Sequence, residues 1–213
     1  MIMIKDIQQR SEEWLRLRIG SVGGSGVKNA TAGGRGKVRS DYMYKKAHEI
    51  LSGKIAEFYI NDAMQLGTDS EPLSRKDYEF IHDKQVDQVA MVKASEHKHC
   101  SPDGLVGDDG MVEIKNTNGK NFVEIVHKDR VPPEHKKQIQ WGLFICERDW
   151  CDFIQACWIR DEYNEIVPQY PDLPIFVRRV YRDEDFIREL SDGVDKFIEE
   201  MLLVVEDINL KIN

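Results

Sequence analysis

The order of elements in this chain predicts a mixed α/β (α+β) fold, a central mixed β-sheet flanked by helices in a single domain over residues 1–213. Three observations carry that expectation. Helical and strand periodicities follow one another as helix, helix, strands, helix, strands, helix, a pattern that packs helices on a sheet. Of the 213 residues 41% are hydrophobic, enough for one sizeable core at the length of one large domain. No internal repeat, low-complexity tract or linker divides the chain.

Each element has its own signal. Ser11 followed by Glu12 and Glu13 has the form of a helix start, and Trp14, Leu15 and Leu17 supply an apolar stripe ending near Gly20. Val22 to Gly36 contain six glycines with Ser25 and Thr31, the composition of a mobile loop with accessible backbone amides. Asp41 can cap a helix that stops at Gly53. Pro72 is tolerated in a first helical turn and so predicts a helix from near Asp69 or Ser70 to about Phe80. Val86 to Lys93 alternates as a strand, and Leu105-Val106 with Met111 to Lys115 reads as a hairpin closed around Asp108-Asp109-Gly110. Glu134 to Cys146 returns to helical spacing. Asp152 to Ile159 and Ile175 to Tyr181 are strands joined by a proline-bearing loop, and Asp183 to Val205 forms a long amphipathic helix.

Composition excludes several classes. The longest mostly apolar run is shorter than the roughly 18 residues of a membrane span, and Met1 to Ile7 lacks the apolar region of a signal peptide. A cytosolic protein with no membrane partner is expected. Cys100, Cys146, Cys151 and Cys157 show no C-x-x-C pair and no histidine at finger spacing, so they read as buried or free thiols. The net charge of -8 and pI near 5.3, taken alone, argue against a nucleic-acid partner. The charge is unevenly spread, however. Between Lys28 and Lys54 seven bases meet two acids, a local balance of plus 5, while Asp183 to Asp207 set ten acids against Arg188 and Lys196. A solvated loop and helix face would produce such a basic run equally well.

The most informative stretch is Cys100-Ser101-Pro102-Asp103-Gly104, then Glu113-Ile114-Lys115. On a strand Glu113 and Lys115 point to one face and Ile114 to the other. A three-residue loop of Asp108, Asp109 and a left-handed Gly110 would set Gly107 opposite Met111 and Asp103 opposite Lys115. Asp103, Glu113 and Lys115 then share a face. Two carboxylates at that range repel unless a cation lies between them, and hard oxygen ligands suit Mg2+ or Mn2+. A lysine beside them can orient water or stabilise charge on a phosphoryl oxygen. By itself, Glu-x-Lys on a strand is also the pattern of a solvated sheet face.

This combination resembles the PD-(D/E)XK nuclease superfamily, and further segments narrow the resemblance. Glu13-Trp14-Leu15-Arg16-Leu17-Arg18-Ile19-Gly20 with Ser25, Gly67 with Glu71, Cys100 to Gly104, and Gln138-Ile139-Gln140 stand in the order seen in the phage lambda exonuclease and YqaJ-like viral recombinase family. The match spans about Gln8 to Cys146. It implies a restriction-endonuclease-like core and a Mg2+-dependent, processive 5′→3′ double-strand DNA exonuclease. Such an enzyme leaves 5′ mononucleotides and a 3′-ended single strand.

By this resemblance Glu71, Asp103 and Glu113, with the backbone carbonyl of Ile114, would hold two Mg2+ ions, Mn2+ substituting. Lys115 would be the catalytic lysine, and Gln138 would hold it or the nucleophilic water. Arg18, Ser25 and Ser101 match a pocket for the terminal 5′ phosphate, for which a planar guanidinium and hydroxyls are suited. Outside that context Arg18 reads as a helix C-terminal cation, and Glu71 as a surface charge in a first turn. Arg35, Lys37 and Arg39 would track the duplex backbone. Met64 is either a wedge between the strands at the DNA end or core. His135 either binds phosphate or is a solvent-exposed helix histidine. Trp141, Trp150 and Trp158 read as core more than as base-stacking platforms. The family often reads Thr-Ala-Ser where this chain has Gly23-Gly24-Ser25.

The resemblance also implies a homotrimeric ring, DNA with 5′-phosphorylated ends as substrate, a single-strand annealing protein as partner, and a phage or prophage origin with action in the bacterial cytoplasm. Competing readings are a structure-selective or sequence-specific endonuclease of the same superfamily, a non-catalytic DNA-end-binding module, and a metal-free α/β domain.

Overall fold

A computed structural model describes residues 1–33, 36–55 and 60–212. Strand β1 (Ile2–Ile4) lies at the edge of a small antiparallel sheet. Helix α1 (Glu12–Arg16) starts as expected at Ser11, whose side chain accepts the Trp14 N–H. The glycine-rich segment contains a helical turn, α2 (Val27–Ala30), that buries Val27 and Ala30, which corrects its reading as a loop throughout. Helix α3 (Val38–Ser52) is capped at Lys37, so Asp41 lies in its first turn and does not cap it; Gly53 ends it with φ of 66°.

Helix α4 (Asp62–His82) starts well before the expected Asp69 or Ser70. Asn61 accepts the Met64 N–H at 2.9 Å and fixes the start. Its first residues, Asp62 to Gln65, are exposed and carry no apolar stripe to read. Pro72 therefore lies inside the helix, where it withholds one backbone donor.

Strands β2 (Met91–Ser95) and β3 (Lys98–Cys100) complete the small sheet, in the order β1-β2-β3. The central sheet orders β4 (Gly104–Val106), β5 (Gly110–Asn116), β6 (Trp150–Ala156) and β9 (Ile175–Tyr181). It is mixed: β5 and β6 are parallel, and the two outer pairs are antiparallel. A parallel pair needs a crossover, made by α5 (Gly119–Lys128), a 3-10 turn at Pro133–His135, and α6 (Lys136–Cys146). Strands β7 (Trp158–Arg160) and β8 (Ile166–Pro168) form a separate hairpin, and α7 (Glu184–Ile212) closes the chain.

Core packing fixes the two sheet faces. Met111, Cys151 and Phe153 meet Trp141 and Leu143 of α6 and Leu190, Val194 and Phe197 of α7. Val112, Ile114 and Ile154 meet Tyr78 of α4, with Trp150 and Trp158. Trp141, Trp150 and Trp158 are buried, and all four cysteines are buried and unbridged. No helix among the described residues is long and apolar enough to cross a membrane.

Candidate active site

The β4–β5 hairpin pairs Gly104 with Val112, Leu105 with Met111 and Val106 with Gly110. Its loop is therefore Gly107-Asp108-Asp109, and the left-handed residue is Gly107, with φ of 56°. This corrects the expected loop of Asp108-Asp109-Gly110. The physical reason is that Gly110 is a packing glycine: a Cβ there would lie 2.2 Å from the Trp150 ring. The correction moves the register by an even step, so the faces are unchanged. Asp103 falls opposite Glu113 instead of Lys115.

Below Gly104 the ladder stops, and Asp103 Oδ2 accepts the Ile114 N–H at 2.6 Å. The N–H and C=O of a strand residue face the same neighbour, so the Ile114 carbonyl is turned to this edge as well. Glu113, on the face covered by α6, is buried and ion-paired with Lys115. Gln138, in the first turn of α6, donates from Nε2 to Glu113 Oε1 at 2.5 Å. A buried carboxylate needs such partners.

Glu71 stands one residue before Pro72. Arg75 donates to Glu71 Oε1 at 2.6 Å and, through Nε, to the Asp103 carbonyl at 3.1 Å. Arg10 lies 3.8 Å from Glu71. Arg75 thus ties α4 to the Asp103 turn. Sequence reasoning missed it, although its spacing from Glu71 is that of a helical ion pair.

The electrostatics are those of acids crowded together. Burial and then the Glu113 charge push Asp103 up to about 7, and burial and then Asp103 push Glu71 up to about 6. Burial alone would lower Lys115, but Glu113, Asp103 and Glu71 outweigh it and raise the ammonium, which stays protonated. Among the described residues no three His, Cys, Asp or Glu side chains close into a metal cage. Glu71 is turned to Arg75 and Glu113 to Lys115, so protein cations neutralise the acids. The donors are nonetheless all oxygen and mutually repelling, which fits a hard divalent cation.

A second cluster lies on α1 and the small sheet. The Arg18 guanidinium is 4.1 Å from the centroid of the Trp14 ring and has no hydrogen-bond acceptor among the described residues. Burial lowers its pKa, against the nearby Glu49 carboxylate and Tyr42 phenol. The Trp14 indole N–H donates to Ala90 O at 2.9 Å and to Ser101 Oγ at 3.2 Å. Trp14 therefore joins Arg18 to Ser101, a role that its apolar-stripe reading did not contain. Ser25 is exposed and makes no hydrogen bond to either among the described residues.

The expected DNA-contacting residues are placed unequally. Arg35 lies outside the described residues. Lys37 is exposed at the start of α3. Arg39 is occupied: it donates to Glu200 at 2.6 Å and to Ala30 O at 3.2 Å. Met64 is 51% exposed, which excludes the core alternative. His135 packs on Phe153 at 5.1 Å, and burial, then Lys115, lowers its pKa.

Fold and site together define a mixed α/β protein with an acid-and-lysine cluster at the open edge of a central strand. The chain belongs to the YqaJ-like viral recombinase family, whose domain model matches residues 13–149. An alkaline exonuclease from Laribacter hongkongensis is 31% identical, with a TM-score of 0.81 over 95% of this chain and 98% of that one. The same enzyme in complex with dAMP superposes with a TM-score of 0.82. A phage-related exonuclease from Haemophilus somnus, at 13% identity and TM-score 0.64 over 91% of this chain and 96% of that one, shares the fold. An uncharacterized protein of Acanthamoeba polyphaga mimivirus is 26% identical over 89% of this chain, which spans 37% of that protein's length.

Proposed function

We propose that this chain is a Mg2+-dependent, processive 5′→3′ exonuclease of double-stranded DNA that releases mononucleotides and leaves a 3′-ended single strand. The observation that carries the reading is the convergence of Asp103, Glu113 and Lys115 on one edge of β5, with Glu71 bridged to Asp103 by Arg75. The identity with the Laribacter hongkongensis alkaline exonuclease supports the activity class, and that enzyme's complex with dAMP supports a nucleotide product.

Glu71, Asp103, Glu113 and the Ile114 carbonyl would hold two Mg2+ ions, with Mn2+ as a substitute, on a PD-(D/E)XK-type core. When bound, the metal neutralises the acids and makes a nucleophile of water near neutral pH. Lys115, protonated beside Glu113, donates to a phosphoryl oxygen at the scissile bond and stabilises the charge that develops there. Gln138 and the Ile114 N–H hold Glu113 and Asp103 in fixed orientations.

Arg18 and Ser101, with Ser25, receive the terminal 5′ phosphate, and seating it before the cut sets the polarity. Lys37, with Arg35, follows the duplex backbone, while Arg39 is held by Glu200 and Ala30, and the exposed Met64 wedges between the strands. Processivity comes from a ring of three copies around the DNA. The 3′ strand passes to a single-strand annealing protein in the cytoplasm of a bacterial host of the phage or prophage.

A linear duplex with one phosphorylated 5′ end tests this reading. Mononucleotides should leave that end in Mg2+ and none in EDTA. Rapid cutting of covalently closed circles would instead identify an endonuclease, and end binding without hydrolysis a non-catalytic module. Either result overturns the proposal.

A further inference from the structure

The end-phosphate pocket just proposed uses Arg18 and Ser101 and leaves a buried histidine beside them without a role. His99, on β3, is 1% exposed. It lies two residues before Ser101, and its ring packs on Gly23, two residues before Ser25. Its Nδ1 is 2.7 Å from Ser21 Oγ. Ser21 is fully buried, and its hydroxyl hydrogen has no other acceptor among the described residues. Buried donors are paired, so Ser21 donates to Nδ1 and the ring proton sits on Nε2.

That Nε2 has no hydrogen-bond partner among the described residues. Gly23 makes room for the ring: a Cβ there would lie 2.5 Å from Nε2 and 2.8 Å from Cε1, over the ring and off the N–H axis. The glycine at position 23 and the imidazole at 99 thus occupy one space between them. Burial first, then Arg18, Lys46 and Lys93, opposes a second ring proton, so the group is a neutral donor among cations. Lys46 is matched by Glu49 at 2.8 Å, whereas Arg18 and Lys93, which donates to the neutral Leu17 carbonyl at 3.2 Å, leave positive charge for an anion.

We propose that His99 is a further binding residue for the terminal 5′ phosphate, donating from Nε2–H to a phosphate oxygen beside Arg18 and Ser101. The inference rests on the end-phosphate reading and deepens it. A neutral, fixed donor adds direction where Arg18 adds charge, and a 5′-hydroxyl end offers it no phosphoryl acceptor.

The test compares initial digestion rates of the full chain on duplexes differing only in a 5′ phosphate or a 5′ hydroxyl. His99→Phe keeps a ring against Gly23 and removes the donor; combined with Ser21→Ala it strands no buried hydroxyl. The preference for phosphorylated ends should fall roughly tenfold, and His99→Gln, which restores an N–H, should recover part of it. An unchanged preference in the folded double variant overturns the proposal. Arg18→Gln separates the pocket from the contribution of His99. If it also leaves the preference intact, the pocket itself is wrong and His99 falls with it; if it alone abolishes the preference, the pocket stands and His99 does not belong to it. A readout independent of folding variants is the His99 Nε2 nitrogen resonance of the native chain, which should move on adding 5′-phosphorylated duplex without divalent metal. An equal response to 5′-hydroxyl duplex refutes the assignment.

Discussion

Asp103 completes the β4–β5 ladder with a side chain: its Oδ2 accepts the Ile114 N–H at 2.6 Å, one step beyond the last backbone pair, Gly104 with Val112. One carboxylate thus serves both the hairpin and the acidic cluster. Asp103→Asn keeps an oxygen for that N–H while removing the charge that raises Glu71. Activity should drop by about 100-fold or more, with a melting temperature at least equal to that of the native protein. Asp103→Ala strands the N–H and should cost about 1–3 kcal/mol. Nuclease assays and thermal melts on both variants check this, and an asparagine variant as unstable as the alanine one would refute it.

Lys115 faces Glu113 and is raised by three acids, so it acts as a fixed cation. Lys115→Ala should reduce hydrolysis by about 100-fold or more, with binding to DNA ends retained. Gel shifts in Ca2+ beside digestion in Mg2+ distinguish the two effects. Loss of binding equal to the loss of cleavage would make Lys115 a DNA anchor only.

On β6, Asp152 accepts from Arg179 at 2.8 and 2.7 Å and from Tyr78 at 2.7 Å, and Arg179 lies 3.7 Å from the Trp150 ring centroid. Burial pushes the Asp152 carboxyl up, but the Arg179 and Tyr78 hydrogen bonds win and its pKa is lowered. A depressed folded pKa contributes stability above the unfolded value, about 3.9, and loses it as pH falls through the folded one. Asp152→Ala should cost about 1–3 kcal/mol at neutral pH, because the buried Tyr78 hydroxyl loses its acceptor and the part-exposed Arg179 its partner. The deficit should shrink in urea melts taken at acid pH; a constant deficit down to pH values below both pKa values would count against the ion pair.

Gly110 touches the Trp150 ring, and a methyl there would sit 2.2 Å from it. Gly110→Ala should destabilise by about 1–3 kcal/mol through overpacking. Gly107→Ala, at the left-handed turn position, should cost about 1 kcal/mol through backbone strain. Denaturant melts rank the two, and a reversed order would restore Gly110 as the turn residue.

Several elements were legible because their signals are local. Strand β9 has its expected bounds, Ile175–Tyr181, since a β-branched run there is closed by the cap of α7 at Asp183. The turn-and-helix unit from Pro133 to Cys146 matched its 3.6-residue spacing. Helix α5 and strands β1, β3 and β8 were not foreseen, because they are short or derive their order from packing, and the single strand expected over Asp152 to Ile159 is broken at Cys157 into β6 and β7. The start of α4 was misplaced because Pro72 reads most naturally as a first-turn residue, whereas the Asn61 cap lies upstream.

For the site, the amino-acid sequence by itself determined the face. Strand alternation sets Asp103, Glu113 and Lys115 together whichever even register the hairpin adopts. The balance of charge was also legible, although only the fold shows that α7 spends Glu200 on Arg39 and Asp195 on Lys98. The supports of the site were decided by tertiary structure alone. Arg75 reaches Asp103, Trp14 reaches Ala90 and Ser101, and Ser21 reaches His99 across contacts between residues far apart in the chain. Local periodicity encodes which way a side chain points. Which distant partner it meets there follows only from how the layers pack.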